Sequence, residues 1–389
     1  MAFDFIKDRL NERISQSQFR ERVCVQSSYV DNPEKEGYII IDGKPYLNFS
    51  SNDYLGLNRH PKINEAMVEG MNKFGAGASS SSLVTGYQYA HQALEETLCT
   101  WLNKSHCLLF TSGFSANVAL FETLGKNYQK NQPQFFLDKL SHASMIDGAR
   151  ASEALVKRFA HNDVNHLNKL LKSNPSNNNL IASEGVFSMD GDQADVMQLK
   201  EVAKQHDALF FLDDAHSLGV VGAQGQGSAS LAEVDITMGT FGKALGTSGA
   251  FITCEKDIYE YLVNFGRHYI YSTAISPAIA WATKASIELV IQEQWRREKI
   301  MYLSDLFKSL LSSDIKVLSS QSSIHAIILG DETKSISVSQ TLKNAGLWVS
   351  AIRPPTVPKG TSRLRVTICA NHKENNIRYL AEKINKAII

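Results

Sequence analysis

Lys243 stands in a turn where glycine residues leave almost no bulk around it. It follows a run of alternating apolar residues that ends at Gly239 and is typical of a short strand, and Gly242 and Gly246 flank it. Because glycine lets another body approach the backbone closely, the ammonium group could reach a ligand that lies over this loop. A solvated surface lysine in a flexible turn is the alternative, and the segment by itself leaves both open.

Polar residues follow five predicted strands at the points where those strands end. In a parallel α/β sheet, ligands bind beyond the carboxyl ends of the strands. The first segment is a small-residue turn that opens a helix, whose N–H groups and dipole suit a phosphate. The five segments are Thr111–Asn117, Asp138–His142, Glu184–Asp192, Asp213–His216 and Thr240–Lys243. A single histidine or aspartate at such a place is more often structural, but the convergence of five segments at one edge predicts a binding site.

Three better-known motifs do not fit these residues. A phosphate-binding loop ending at Lys243 would need a glycine where the chain has Thr237, and Ser or Thr where it has Ala244. The hydrolase elbow G-x-S-x-G fails because Gly113–Asn117 ends in asparagine. His161–His166 lacks the glutamate and the spacing of a zincin helix. We therefore exclude a phosphate-loop NTPase, a hydrolase with this elbow and a zincin.

The composition is that of an ordinary soluble enzyme. Forty basic residues balance forty acidic ones among 389 residues, so bulk charge gives no argument for a nucleic-acid partner or an anionic membrane. The five cysteines are odd in number and contain no C-x-x-C pair, which favours a reducing compartment over a disulfide framework or a zinc site. No apolar stretch approaches the length of a membrane span. We expect a cytoplasmic protein with no metal site.

Strands and helices alternate through the middle of the chain. Helices are predicted near His91, from Ser115, from Ala143 and at Val196–His206. The predicted strands are Cys107–Phe110, Phe135–Leu137, one near Val156, Leu180–Ser183, Ala208–Leu212, Asp235–Met238 and Ala250–Thr253. This alternation predicts right-handed crossovers and a mostly parallel sheet, which places the chain in the α/β class.

The sequence suggests three segments. Residues 1–46 would hold an amphipathic helix and a hairpin that turns at Asp42 and Gly43. Residues 47–285 would form the large α/β domain. Residues 286–389 would form a smaller α+β domain, in which strands and helices follow each other in a different pattern. One long helix running from Pro277 towards Leu311 is expected to connect the two domains.

The five strand-end segments together resemble the α-oxoamine synthases, pyridoxal-phosphate (PLP) enzymes of the aspartate-aminotransferase fold, fold type I. The resemblance spans nearly the whole chain and holds in both the motifs and their order. Residues 48–57 and 352–365 are most similar to the family member of biotin biosynthesis. The run Gly77–Ser82 departs from the family, because many relatives carry more glycine or a Gly-Ser-Arg there, and this bears on the acyl-side pocket. The resemblance implies a large PLP-binding domain with a mostly parallel sheet flanked by helices, and a small C-terminal α+β domain.

The resemblance implies roles for individual residues, with Lys243, His142, Asp213 and His216 as the catalytic set. Lys243 would bind PLP covalently, which needs an amine whose pKa is tuned from about 10.4 by desolvation and neighbouring charge. Asp213 would pair with the pyridinium nitrogen so that the ring acts as an electron sink, and His142 would stack on the ring. The other implied cofactor contacts are Gly113, Phe114 and Thr240 at the phosphate, His216 and Ser188 at the phenolic oxygen, and Ser272 or Thr273 from the partner subunit.

On the substrate side, the resemblance implies that Arg365 binds the amino-acid carboxylate with its bidentate guanidinium group. The residues expected on the acyl side are Arg20, Asn52, Arg353 and Thr356. The implied reaction is the decarboxylative condensation of L-alanine with a pimeloyl thioester, of CoA or of acyl carrier protein, in a homodimer whose active site lies at the subunit interface. One alternative is a relative that uses glycine and another acyl-CoA, in the manner of 2-amino-3-ketobutyrate CoA ligase. Another is a non-catalytic partner subunit, against which the intact catalytic set argues.

Overall fold

The chain folds into two compact units, seen here in a computed structural model that describes residues 3–27, 36–126 and 132–389. The unit called the terminal unit below comprises residues 1–54, 188–192 and 298–389. The other, called the sheet unit, comprises residues 55–187 and 193–297. The three-segment division suggested by the sequence stays a prediction.

A seven-stranded sheet is the centre of the sheet unit. In spatial order its strands are β3 (His106–Phe110), β9 (Ala250–Cys254), β8 (Ile236–Thr240), β7 (Leu209–Asp213), β6 (Asn179–Glu184), β4 (Gln134–Asp138) and β5 (Leu155–Phe159). β9 is antiparallel to both of its neighbours, and the other pairs are parallel. The predicted mostly parallel sheet is therefore confirmed, with strand ends that shift by one or two residues.

The sheet unit has its hydrophobic core on both faces of this sheet. Phe135 on β4 packs on one face and its neighbour Phe136 on the other, because successive side chains of a strand point to opposite sides. On the first face, Phe121 meets the rings of Phe135 and Phe211 edge to face, with centroids 5.4 and 5.3 Å away. These contacts fasten the helix that carries Phe121 to the centre of the sheet.

Nine α-helices belong to the described part of the sheet unit. They are α2 (Pro61–Phe74), α3 (Tyr89–Leu102), α4 (Gly113–Leu124), α5 (Ala143–Ala151), α6 (Val164–Ser173), α7 (Val196–Gln205), α8 (Lys256–Phe265), α9 (Arg267–Ile270) and α10 (Pro277–Gln292). The sequence prediction lacked α2, α6, α8 and α9. For α6 a signal was present, since the buried Leu167 and Leu171 are four residues apart and therefore share one helix face.

The single long helix predicted from Pro277 to Leu311 is wrong, because α10 ends at Gln292 and α11 (Trp295–Leu310) begins two residues later. Glu293 leaves the helical region at φ −101° and ψ 56°. The guanidinium group of Arg297 donates to the carbonyl oxygens of Val290 and Ala223, at 2.5 and 2.9 Å. A carbonyl group that the end of α10 leaves without a helical partner is thus satisfied by a side chain of the next helix.

The described part of the terminal unit contains two three-stranded sheets. The first pairs β1 (Tyr38–Ile41), β2 (Lys44–Asn48) and β11 (Leu347–Trp348), and the second pairs β10 (Ile324–Gly330), β13 (Ser362–Thr367) and β12 (Ser350–Ile352). The helices are α1 (Phe5–Ser15), α12 (Glu332–Asn344), α13 (Glu374–Ile388) and most of α11. The predicted hairpin is confirmed, since β1 and β2 are antiparallel and joined by Asp42 and Gly43. Its partner β11 comes from the other end of the chain, so this sheet closes only when both termini have folded.

Within the described ranges, no helix is both long and apolar enough to cross a membrane. The same residues contain no group of three or more His, Cys, Asp or Glu side chains arranged to hold a metal ion.

Candidate active site

Three neighbouring strands of the sheet unit end in residues with reactive side chains. Glu184, Asp213 and Thr240 are the last residues of β6, β7 and β8. Glu184 pairs in register with Asp213, and Asp213 pairs with Met238. Because adjacent strands lie about 4.8 Å apart, in-register pairing brings segments that are distant in the sequence to one edge of the sheet.

The start of α4 adds backbone donors to this edge. Ser112 is the N-cap, whose Oγ accepts the N–H of Ser115 at 3.1 Å, and the Ser115 Oγ accepts the N–H of Ser112 at 3.2 Å. The first N–H groups of an α-helix have no partner within the helix. Those of Gly113 and Phe114 are therefore available to an anion, which the helix dipole also favours.

A cavity of about 200 Å³ lies against these strand ends. Seven residues predicted for the cofactor site line it, namely Gly113, Phe114, His142, Asp213, His216, Thr240 and Lys243. The other lining residues are Asn117, Ser144, Glu184, Ala215 and Met238. The cavity thus combines one lysine, two histidines, two carboxyl groups and the first turn of α4.

Two hydrogen bonds orient the carboxylate of Asp213, which is only 5% exposed. The N–H of Ala215 donates to Oδ1 at 3.0 Å, and Nδ2 of Asn117 donates to Oδ2 at 2.8 Å. Nδ2 of Asn117 also donates to the Oγ of Ser144 at 2.9 Å. Both hydrogens of the Asn117 amide are therefore used, and Asp213 is held by α4 as well as by its own loop.

His142 is the N-cap of α5, and its Nδ1 accepts the N–H of Ser144 at 3.3 Å. The Oγ of Ser144 lies 2.7 Å from the same nitrogen. Desolvation lowers the pKa of His142, and Lys243 lowers it further, whereas Asp213 and Asp147 act in the opposite direction. The imidazole is consequently neutral near pH 7.

Glu184 is a buried carboxyl group on the wall of the cavity, with 3% of its surface exposed. Burial raises its pKa well above the usual value, and the charge of Asp213 raises it further, while Lys243 and a hydrogen bond from the backbone of His142 act against this. Its Oε1 has no hydrogen-bond partner among the residues that the structure describes. Burial and the neighbouring charge of Asp213 therefore both favour the protonated form of Glu184.

The loop of Lys243 is closed by its own backbone. The N–H of Gly246 donates to the carbonyl oxygen of Lys243 at 3.0 Å, and the Thr240 hydroxyl donates to the carbonyl oxygen of Gly249 at 3.0 Å. Gly246 has φ +66°, and a Cβ there would lie 2.5 Å from the backbone nitrogen of Asn58. Gly246 thus serves the turn itself. At Gly242 a Cβ would meet nothing closer than 3.7 Å, so the backbone is open on that side.

Arg365 lies on β13 of the terminal unit and is 7% exposed. Its Nε donates to the carbonyl oxygen of Ser188 at 2.6 Å, and its two terminal nitrogens donate to Oδ1 of Asn52 at 3.2 and 3.1 Å. The Oγ1 of Thr367 accepts a further hydrogen bond from Nη1 at 3.2 Å. Arg365, Ser188 and Asn52, three predicted residues of this unit, are therefore in contact. Oδ1 of Asn52 lies in the guanidinium fork that is predicted to receive a carboxylate.

The remaining predicted residues lie at other places. In the terminal unit, Arg20 donates to the hydroxyl of Thr356 at 2.9 Å, and Arg353 donates to the carbonyl oxygen of Ser17. In the sheet unit, Ser272 and Thr273 precede α10 and are absent from the cavity lining of their own chain.

The sequence analysis assigned no role to five lining residues, Asn117, Ser144, Glu184, Ala215 and Met238. Asn117 lies four residues after Gly113 on α4 and therefore on the same helix face, a spacing that could have identified it. Glu184 was a visible strand-end residue, but its protonation depends on burial. The hydrogen bond between Asn117 and Ser144 joins α4 to α5, and no pattern in the sequence predicts it.

A family model described as aminotransferase class I and II matches residues 44–384. The chain belongs to the class I and II aminotransferase family. An 8-amino-7-oxononanoate synthase of Photobacterium profundum is 44% identical over 389 residues, covering 98% of this chain and 96% of the relative.

Among solved structures, a variant of serine palmitoyltransferase from S. paucimobilis with a bound PLP–myriocin aldimine matches with a TM-score of 0.89 and 28% identity, covering 99% of this chain and 97% of that one. An 8-amino-7-oxononanoate synthase from Francisella tularensis matches with a TM-score of 0.76 and 29% identity, covering 88% and 97%. These relatives confirm the resemblance and the fold class of this aminotransferase-family chain.

Proposed function

We propose that this chain binds PLP and condenses L-alanine with a pimeloyl thioester, giving 8-amino-7-oxononanoate, CO2 and a free thiol, a step of biotin biosynthesis. The observation that carries the proposal is the single cavity that contains Lys243, Asp213, His142 and the first turn of α4. We infer the substrates from relatives that are named 8-amino-7-oxononanoate synthase and are 43–44% identical to this chain.

The residues present fit PLP at each of its functional groups. The N–H groups of Gly113 and Phe114, with the hydroxyl of Thr240, suit the phosphate. The buried carboxylate of Asp213 suits the ring nitrogen, and the neutral ring of His142 suits the face of an aromatic cofactor. The further assignments are Lys243 at the aldehyde carbon, and His216 and Ser188 at the phenolic oxygen.

When bound, PLP supplies a ring that accepts the electron pair released at the substrate α-carbon. Asp213 would keep a proton on the ring nitrogen, because two hydrogen bonds hold its carboxylate in one orientation. The amine of Lys243 takes the α-proton of alanine and returns a proton to the same carbon after CO2 has left. The catalytic set thus consists of Lys243, Asp213, His142 and His216.

Arg365 would bind the carboxylate of alanine through its planar fork, where the carboxylate would replace Oδ1 of Asn52. The acyl side is assigned to Arg20, Asn52, Arg353 and Thr356. Arg20 and Thr356 are already in contact, and a pair of guanidinium groups suits the distal carboxylate of a pimeloyl chain. The thioester carrier, CoA or acyl carrier protein, meets the enzyme on this side.

A homodimer, located in the cytoplasm, is part of the proposal. Ser81 and Thr273 form an isolated bridge, which places the segment before α10 next to the exposed apolar side chains of Leu83 and Val84, 49% and 74% exposed. Two exposed apolar side chains at this place suit contact with a second copy of the chain. Ser272 or Thr273 of one copy would then reach the phosphate site of the other. The five unpaired cysteines suit a reducing compartment.

The test is a reaction of the PLP-loaded protein with L-alanine and pimeloyl-CoA, followed by thiol release and by mass spectrometry of the product. We expect equimolar thiol and 8-amino-7-oxononanoate. Parallel reactions use pimeloyl-carrier protein with L-alanine, and glycine with acetyl-CoA. Faster turnover of glycine and acetyl-CoA would contradict the proposed substrates, and a protein that binds PLP but turns over neither pair would contradict the activity.

A further inference from the structure

Asn117 and Ser144 connect two groups that would meet the cofactor, Asp213 at its ring nitrogen and His142 at its ring face. Nδ2 of Asn117 lies 2.8 Å from Oδ2 of Asp213 and 2.9 Å from Oγ of Ser144, and that Oγ lies 2.7 Å from Nδ1 of His142. Asn117 is 1% exposed and Ser144 is fully buried, so water does not compete for these hydrogen bonds. The four side chains form one continuous chain of hydrogen bonds.

The direction of each hydrogen bond follows from its donors. The backbone N–H of Ser144 can only donate, and it points to Nδ1 of His142, so this nitrogen is unprotonated. The Ser144 hydroxyl must then donate its hydrogen to Nδ1 and accept from Asn117. The opposite orientation of the Asn117 amide would set its oxygen against the carboxylate of Asp213, which repels it.

We propose that Asn117 and Ser144 are positioning residues that hold His142 as the neutral tautomer with its proton on Nε2 while they fix the plane of the Asp213 carboxylate. This inference rests on the proposed function only in that Asp213 and His142 contact the cofactor. Asn117 acts through its two N–H groups, which donate to Asp213 and to Ser144. Ser144 acts through its hydroxyl, which accepts from Asn117 and donates to Nδ1 of His142.

Removal of the hydroxyl has an effect on His142 that loss of packing alone would not produce. In Ser144→Ala, Nδ1 loses its stronger donor and can accept a proton at less cost, so the pKa of His142 moves up. The other charged groups that face the imidazole or its backbone stay in place, namely Asp213, Asp147, Lys243 and Glu184. Ser141→Ala is the matched control, because Ser141 is also buried, with 5% of its surface exposed, and its Oγ has no partner among the described residues.

The experiment is nitrogen NMR on protein labelled at its 11 histidines, with the His142 signal assigned by its loss in His142→Gln. Apoprotein and PLP-loaded enzyme are titrated side by side. We expect His142 in wild type and in Ser141→Ala to show one protonated nitrogen, Nε2, through neutral pH. In Ser144→Ala we expect a mixture of tautomers and a titration midpoint at higher pH. An unchanged tautomer and midpoint in Ser144→Ala would overturn the proposal.

Asn117→Asp tests the other half of the chain of bonds with no change of size. It replaces both N–H groups by an oxygen beside Asp213, and we expect kcat to fall at least tenfold, about the equivalent of one hydrogen bond, with the KM for the thioester unchanged. The pH at which the absorbance of bound PLP changes should also shift. Wild-type kcat and an unshifted absorbance profile in Asn117→Asp would refute this part. If the wild-type enzyme binds PLP with His142 in the expected form but makes no product, the proposed reaction fails while this inference stands.

Discussion

Gly148→Ala would place a methyl group where α5 touches α4. A Cβ on Gly148 would lie 2.9 Å from the Cα of Val118, 3.0 Å from the Cβ of Phe121 and 3.1 Å from the carbonyl oxygen of Asn117. Two of these three atoms belong to the backbone and cannot rotate away. Ordinary contact needs 3.4 Å or more, so the two helices must separate by at least half an ångström. We expect this separation to stretch the hydrogen bond between Asn117 and Ser144, now 2.9 Å long.

Two opposed effects set the size of the change. Alanine is favoured over glycine inside a helix by about 0.8–1.0 kcal/mol. Overpacking costs roughly 1–3 kcal/mol, and the strained hydrogen bond adds about 0.5–1.5 kcal/mol. The two costs together exceed the gain in helix propensity, and Gly148→Ala should lower the free energy of unfolding by roughly 0.5–4 kcal/mol.

The assay is thermal unfolding of wild type and variants at one fixed scan rate. Gly77→Ala is the control, because among the described residues no atom lies within 4 Å of a Cβ built there and its φ is not positive. This control should be neutral or slightly stabilising, by about 0.4–1 kcal/mol, through the unfolded chain. A Gly148→Ala protein with a higher Tm than wild type would refute the argument, since helix propensity would then have outweighed the contact between the two helices.

Three further predictions test the site. Lys243→Ala should abolish both turnover and the borohydride-trapped cofactor, and product from this variant would exclude Lys243 as the base. Glu184→Gln should flatten the pH dependence of stability. The raised pKa of Glu184 means that its stabilising contribution is complete below about pH 4.5 and is lost as pH rises towards the folded-state pKa. If the unfolding free energy from chemical denaturation depends on pH as steeply in Glu184→Gln as in wild type, Glu184 is ionised in the folded protein. Gly246→Ala should lower PLP affinity at least tenfold, because its Cβ would lie 2.5 Å from the backbone of Asn58 and would displace the loop of Lys243; wild-type affinity by absorbance titration would contradict this.

Much of the α/β framework is determined by local patterns. The apolar runs of β3, β4, β6, β7, β8 and β9 were each located from the sequence to within two residues, because strands buried on both faces leave a strong local signal. Polar residues directly after such strands must meet at one edge of a parallel sheet. For this reason seven predicted cofactor residues of the sheet unit could be assigned to one place before any coordinate was known.

Only the tertiary structure decided how those residues are held. The break between α10 and α11 depends on Arg297 reaching back to Val290. The protonation of Glu184 depends on burial, and the hydrogen bonds of Asn117 depend on how closely α4 approaches α5 at Gly148. Such properties arise from contacts between elements that are far apart in the chain, and residue types and spacing carry no information about the distance or rotation between two packed helices.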